Sequence, residues 1–381
     1  MKPIKVAGPD IREEDIEFVS DAIRNLNGPK PYYYVEQFEA EFAEYVGRKY
    51  ALMTPNCTSA IHLVLRALDI GEYDEVIVPE LTWIATIAPV FYQKAEPVLC
   101  DVSLDSWCAE QGDVSRAMSL HTKAAIVVDL CGNMPNWERL EKLQGIYLIE
   151  DSAQALGSKY NGKPAGSFGI ASAFSFHRTK TIAAGTEGGM LVLDDETLYK
   201  RCSALRDHGR SPSDKLYRPG LLGYKYTPNS IAAALAYAQF KRLDELVAKK
   251  RYIMNFYKSR LDSLGLRLNQ DDDVVYNGAW VTGATWDSQV SQKDKEQVMG
   301  ELAQLGVPPR PLFYPLSSVP GVYEMFPKYG VDPYTVIGYY QKQNTRAYYL
   351  GSHGLNLPCA YSLDDEQLDF ICGAVEKVFS H

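Results

Sequence analysis

Short apolar runs alternate with stretches of helical spacing through the first half of this chain, and that alternation leaves few folds open. Val76 to Pro79, Pro97 to Cys100, Ala124 to Leu130, Tyr147 to Glu150 and Ala171 to Phe176 are largely apolar. A strand with one face in water alternates apolar and polar residues, whereas a continuously apolar one is buried on both faces. Between these runs, helical periodicity links Ile16, Val19, Ala22 and Ile23, and then Phe38, Phe42 and Val46. It returns from Ser59 to Leu68, Ile84 to Tyr92 and Trp137 to Leu143. Strands buried on both faces and separated by helices predict an α/β fold, a mainly parallel sheet sandwiched by helices.

The pattern changes after residue 200. Thr227 followed by Pro228 reads as an N-cap with proline in the first turn, and the alanine-rich stretch from Ile231 continues helically to Leu246. A strand from Ala279 to Thr285, a helix from Asp294 to Leu305 and a last helix near Glu366 to Phe379 follow. A chain of 381 residues is long enough for two domains. The expected division is a large domain over 1–245 and a smaller α+β domain over 246–381.

The formal net charge of -9, with both signs interspersed, argues against nucleic acid or a membrane surface as partner. Seven scattered cysteines without a CxxC pair suggest free thiols in a reducing compartment. The six histidines show no metal-binding spacing, so no metal is expected. MKPIKVAGPDIREED lacks the apolar core of a signal peptide, and no apolar run is long enough to span a bilayer. A cytoplasmic location follows as the expectation.

In an open α/β sheet, ligands gather at the carboxyl ends of the strands. Asp151 directly follows one apolar run, and Trp83 follows another through Pro79-Glu80-Leu81-Thr82. Asn56-Cys57-Thr58-Ser59 opens a helix, where free N–H groups, hydroxyls and the helix dipole suit a phosphate. Lys180 lies between the run ending at Phe176 and a turn containing Gly185, Gly188 and Gly189. Each has an ordinary reading: a helix cap for Asp151, core for Trp83, a solvated charge for Lys180. Together, a phosphate cup, an aromatic plate, a carboxylate and a lysine able to carry an aldehyde meet the needs of pyridoxal 5′-phosphate (PLP).

Several longer stretches carry a resemblance: NCTSAIHLVLRAL (56–68), DEVIVPELTWIAT (74–86), IEDSAQALGSKYNGK (149–163), FSFHRTK (174–180), EGGMLV (187–192), LRDHGRSP (205–212), GYKYT (223–227), RPLFYPL (310–316) and GLNLP (354–358). In this order they resemble the DegT/DnrJ/EryC1/StrS nucleotide-sugar aminotransferases, fold-type I PLP enzymes. The resemblance implies that Lys180 carries the cofactor's aldehyde and acts as general base. It implies that Asp151 pairs with the pyridine nitrogen and Gln154 lies beside the phenolic oxygen. Trp83 stacks on the ring, and Cys57, Thr58 and Ser175 hold the phosphate. His177, Arg310, Phe313 and Tyr314 fall where the sugar nucleotide is expected.

Cys57 stands where the family usually has glycine, Thr227 where arginine is common, and the turn after Lys180 is one residue longer than in many members. Lys225 replaces an asparagine that reaches the phosphate of the neighbouring subunit, so a homodimer with shared sites is implied. L-Glutamate is the implied amino donor and a nucleotide-linked keto-sugar the acceptor. RPLFYPLSSVP (310–320) and GLNLPCAYSLDDEQ (354–367) resemble most the GDP-perosamine synthase branch, which aminates C4 of a 4-keto-6-deoxy sugar. The alternatives are C3 amination, a dTDP-sugar, a UDP-sugar (His177 resembles the histidine of UDP-sugar 4-aminotransferases), a PLP-dependent sugar dehydratase, or a non-catalytic regulatory relative. Known dehydratases of the group carry histidine in place of the lysine, so Lys180 favours the aminotransferase.

Overall fold

The computed structural model describes residues 3–211, 215–326 and 332–380; Pro212, which ends the LRDHGRSP stretch, lies outside them. The apolar runs become the strands of a seven-stranded sheet. These are β1 (Tyr50–Thr54), β2 (Glu75–Pro79), β3 (Glu96–Cys100), β4 (Thr122–Val128), β5 (Tyr147–Asp151), β6 (Ala171–Ser175) and β7 (Gly189–Leu193). Their order is β1-β7-β6-β5-β4-β2-β3. Only β7 breaks the parallel pattern, running antiparallel to both β1 and β6.

Each strand buries both faces, and successive side chains go to different cores. Val76, Val78, Ile126 and Ile149 pack with Ile61, Val64 and Leu65 of helix α3 (Cys57–Ala67). Ile77, Ala125, Val127 and Leu148 face the other way, onto Trp137 and Phe168. Met53, Phe174, Met190 and Val192 meet Phe38 and Phe42 of α2 (Tyr33–Val46). Helix α1 (Glu13–Arg24) precedes this helix, and α4 (Glu196–Arg206) follows the sheet.

Several boundaries differ from those expected. Helix α3 begins at Cys57 rather than Ser59, because the Asn56 side chain accepts the Ser59 N–H at 2.9 Å and caps it. Between Ile84 and Tyr92 only Ala88–Tyr92 is α-helical, and the Trp137 helix ends at Leu140. The cap expected at Thr227 is Asn229, whose side chain accepts the Ile231 N–H at 2.9 Å. The single helix expected from Ile231 to Leu246 is two, α5 (Ser230–Phe240) and α6 (Leu243–Leu261). The break falls at Arg242, whose guanidinium is pulled onto Asp10 and Asp15.

After α6 comes a four-stranded antiparallel sheet of β8 (Arg267–Leu268), β9 (Thr282–Thr285), β10 (Arg310–Pro311) and β11 (Gly354–Leu357), in the order β8-β9-β11-β10. The strand expected from Ala279 begins only at Thr282, since Ala279 adopts left-handed backbone with φ of 54°. Helices α7 (Lys295–Gln304), α8 (Pro333–Gln343), α9 (Thr345–Ser352) and α10 (Asp365–Phe379) complete the described chain. Tyr257 of α6, Val298 and Leu302 of α7, and Leu368 and Ile371 of α10 share one core with Leu355 and Leu357.

Candidate active site

A cavity of about 390 Å³ opens where β5 and β6 end. Its wall includes Cys57, Thr58, Trp83, Asp151, Gln154, Ser175, His177, Lys180, Arg310 and Phe313, residues far apart in the chain. Two expected residues are absent from it. Lys225 pairs with Asp207 at 2.8 Å, outside the cavity. Tyr314 is turned away, its hydroxyl donating to Glu296 at 2.8 Å.

One side of the cavity is built by the start of α3. Asn56 takes up the Ser59 N–H, so the N–H groups of Cys57 and Thr58 keep no intrahelical partner. Thr58 and Ser175 bring hydroxyls to the same place. Gly189, at the head of β7, makes this possible: a Cβ there would lie 2.4 Å from the Asn56 carbonyl carbon and 2.6 Å from the Cys57 nitrogen. The Cys57 side chain, unexpected where glycine is usual, is buried with its sulfur 3.8 Å from Asp151 Oδ1. Burial pushes its thiol well up.

Asp151 is buried at the end of β5. Thr86 donates its hydroxyl to Oδ2 at 2.8 Å, and the Ala153 N–H reaches Oδ1 at 3.1 Å. Burial raises the carboxyl above its usual range, while Thr86, Ala153 and Lys180 work against that rise. Among the described residues none of its hydrogen bonds comes from a cation, so the site holds a buried carboxylate suited to a protonated ring nitrogen. The Gln154 carbonyl oxygen accepts the Cys131 N–H at 3.1 Å, which leaves the amide NH₂ as the donor facing the cavity.

Lys180 follows β6 in a loop that backbone bonds pin down. The Phe176 N–H donates to Gly188, the Ala184 N–H to Phe176, and the Lys180 N–H to His177, at 2.7, 2.9 and 2.8 Å. Desolvation lowers the lysine from 10.5 to about 8, with Asp151 opposing the shift. Its amine rests over the Trp280 ring, 3.7 Å from the centroid. His177 Nδ1 lies 2.9 Å from the Thr179 hydroxyl, and burial lowers its pKa.

Trp83 is 57% exposed and makes a tilted contact with Phe313, centroids 5.8 Å apart. The segment carrying Phe313 is fixed to the end of β2. Buried Glu80 accepts the Ser317 N–H and hydroxyl at 2.8 and 2.7 Å and the Asn344 side-chain amide at 2.7 Å. Its own carbonyl accepts the Leu316 N–H at 2.8 Å.

Trp280, Thr86, Thr179, Glu187 and Asn56 also line the cavity. Thr86 was within reach of sequence reasoning, as the last residue of the DEVIVPELTWIAT stretch. Trp280 carries no such signal, because it sits in a run that reads only as a strand.

The description of the DegT/DnrJ/EryC1/StrS aminotransferase family matches residues 9–376. This chain belongs to that family. It is a family of PLP-dependent enzymes, and this member is an aminotransferase. The GDP-perosamine synthase of Escherichia coli O157:H7 is 33% identical over 100% of both chains. That of Vibrio cholerae is 31% identical over 99% of each. Among solved structures, Spr1654 of Streptococcus pneumoniae in its PLP form superposes with a TM-score of 0.88 at 25% identity, covering 99% of each chain. Among the described residues no helix is long and apolar enough to cross a membrane, no group of side chains forms a metal site, and all seven cysteines are free and buried.

Proposed function

We propose that this enzyme moves the amino group of L-glutamate to C4 of a nucleotide-linked 4-keto-6-deoxy sugar, with a GDP-linked sugar as the preferred acceptor. The observation that carries the reading is the convergence of the Lys180 amine, the Asp151 carboxylate and the open N-terminus of α3 on one cavity walled by Arg310 and Phe313. The GDP-perosamine synthases matched end to end support the choice of nucleotide and carbon.

The residues present fit PLP: an anion cup of backbone N–H groups and hydroxyls, a buried acid whose hydrogen bonds among the described residues come from no cationic side chain, and an amine of lowered pKa. When bound, PLP supplies an aldehyde that captures amines and a ring that takes up the electron pair left as a C–H proton departs. The first-turn amides of α3, with Thr58 and Ser175, hold the phosphate. Asp151 keeps the ring nitrogen protonated, and Gln154 offers its NH₂ to the phenolic oxygen. Trp83 covers the ring. Lys180, with its ammonium destabilised by burial, takes the α-proton of the donor and returns a proton at the acceptor carbon. Arg310 and Phe313 receive the sugar nucleotide, with His177 beside them.

The reading includes a homodimer in which Lys225 of one copy faces the phosphate of the other, as a point charge. Sedimentation showing an active monomer would remove that part. The test of the whole is direct. Purified enzyme, PLP and L-glutamate are incubated with GDP-, dTDP- and UDP-linked 4-keto-6-deoxy sugars, and products are read by mass spectrometry. Formation of 2-oxoglutarate with a C4-aminated GDP-sugar is expected. Amination of none of the three overturns the assignment.

A further inference from the structure

Trp280 enters the cavity from the segment that leads into β9, and its indole is fixed from both sides. Its ring N–H donates to the carbonyl of Thr179, the residue before Lys180, at 2.7 Å. Its backbone follows Ala279, held in left-handed conformation with its N–H bonded to the Asn277 side chain at 2.7 Å. Only 5% of the residue is exposed. The Lys180 amine lies 3.7 Å from the centroid of the ring and makes no hydrogen bond among the described residues. An indole clamped to the lysine's own backbone cannot drift from the amine. The electron-rich face of an indole attracts a desolvated ammonium and not the neutral amine.

We propose that Trp280 is the positioning residue for Lys180: its ring face is the seat on which the free amine rests, and it stabilises the charged form whenever the lysine is not bonded to the cofactor. This rests on the PLP reading above. Other groups act on the same amine. Asp151 at the end of β5, Cys57 at the start of α3 and Cys131 after β4 favour its charge, while Arg310 of β10 opposes it. His177 and Arg178, on the loop of Lys180 itself, and Glu187, which lines the same cavity, are further charged or titratable neighbours. Burial works against the charge more strongly than any of them. Trp280 therefore holds the free amine in one place between half-reactions and offsets part of the loss of charge that burial imposes, without a hydrogen-bonded carboxylate that would hold the amine too tightly to leave.

The test uses the cofactor-free full chain, so it does not depend on turnover. An acylating reagent is applied across a pH series, and modification of the Lys180 peptide is followed by mass spectrometry in wild type, Trp280→Phe and Trp280→Leu. Leucine keeps the site dry but removes the ring field, so its midpoint is expected about one pH unit below wild type. Phenylalanine keeps a ring face but loses the N–H, and should fall between. Equal midpoints in all three, a rise in Trp280→Leu, or an equal fall in both variants overturns the proposal. PLP uptake by the wild type, read from its colour, is measured beside this. Absent uptake would count against the cofactor reading and leave the lysine titration standing. Unchanged thermal melting of Trp280→Phe guards against a folding defect.

Discussion

Replacing Gly189 by alanine tests the construction of the phosphate cup. The added Cβ would stand 2.4 Å from the Asn56 carbonyl carbon and 2.6 Å from the Cys57 nitrogen. Both are backbone atoms at the start of α3, so no side chain can swing aside. Gly189 is itself held between β1 and β6, opposite Thr54 and Ser175. Relief therefore requires the helix start to retreat by roughly 1 Å to reach van der Waals contact. A hydrogen bond of ordinary length does not survive that displacement. Losing one bond to a charged phosphate costs about 1.5–3 kcal/mol, which weakens PLP binding on the order of 10- to 150-fold. Overpacking costs the fold about 1–3 kcal/mol besides. PLP titration of the apo-protein, followed by absorbance, reads the first effect and thermal melting the second. Gly300→Ala is the control, since nothing lies within 4 Å of its added Cβ. An affinity for PLP within threefold of wild type would refute the role given to this contact.

Lys180→Ala should abolish turnover, since a positioned proton-transfer group contributes about 10²–10⁴-fold and loss of the covalent link adds to that; wild-type transamination by this variant would sink the assignment. PLP uptake by apo-protein needs the neutral amine, so its rate should climb with pH and level off above about 8, the value to which burial lowers Lys180. A plateau reached only near 10.5 would show that the amine is not desolvated. His62, buried on α3 against Tyr226 at 3.0 Å, is lowered by burial from 6.5 to about 4. The unfolded chain takes up that proton below 6.5 and the folded one resists it until about 4, so stability should fall as pH drops through this window. His62→Gln should flatten that stretch of a denaturation-versus-pH curve, and an unchanged slope would assign it to other groups.

The sheet was legible because burial on both faces writes an unbroken apolar run, and β2, β3 and β5 fall within a residue or so of their expected places. Strand β1 was not read, since its partner is β7, more than a hundred residues away, and nothing local announces the pairing. Helix ends misled where one polar side chain outcompetes another: Asn229 caps where Thr227 was expected, and Arg242 breaks a run whose composition is continuous. Of the cavity's lining, Lys180, Asp151 and Trp83 were legible from strand ends and Thr58 from a helix start, because topology brings these together, whereas Gln154 came only with the family resemblance. Trp280 was not, because its approach depends on how the four-stranded sheet lies against the Lys180 loop, which no spacing within either segment records.

Glu80 ties the roof of the cavity to its floor. The strand whose end leads to Trp83 also anchors the stretch that brings Phe313, so the two aromatic walls share a single mount. Their contact, with centroids 5.8 Å apart, is thereby referred to one buried carboxylate. A lineage that needed to part these two rings would have to change Glu80 or its partners Ser317 and Asn344 as well as the rings themselves.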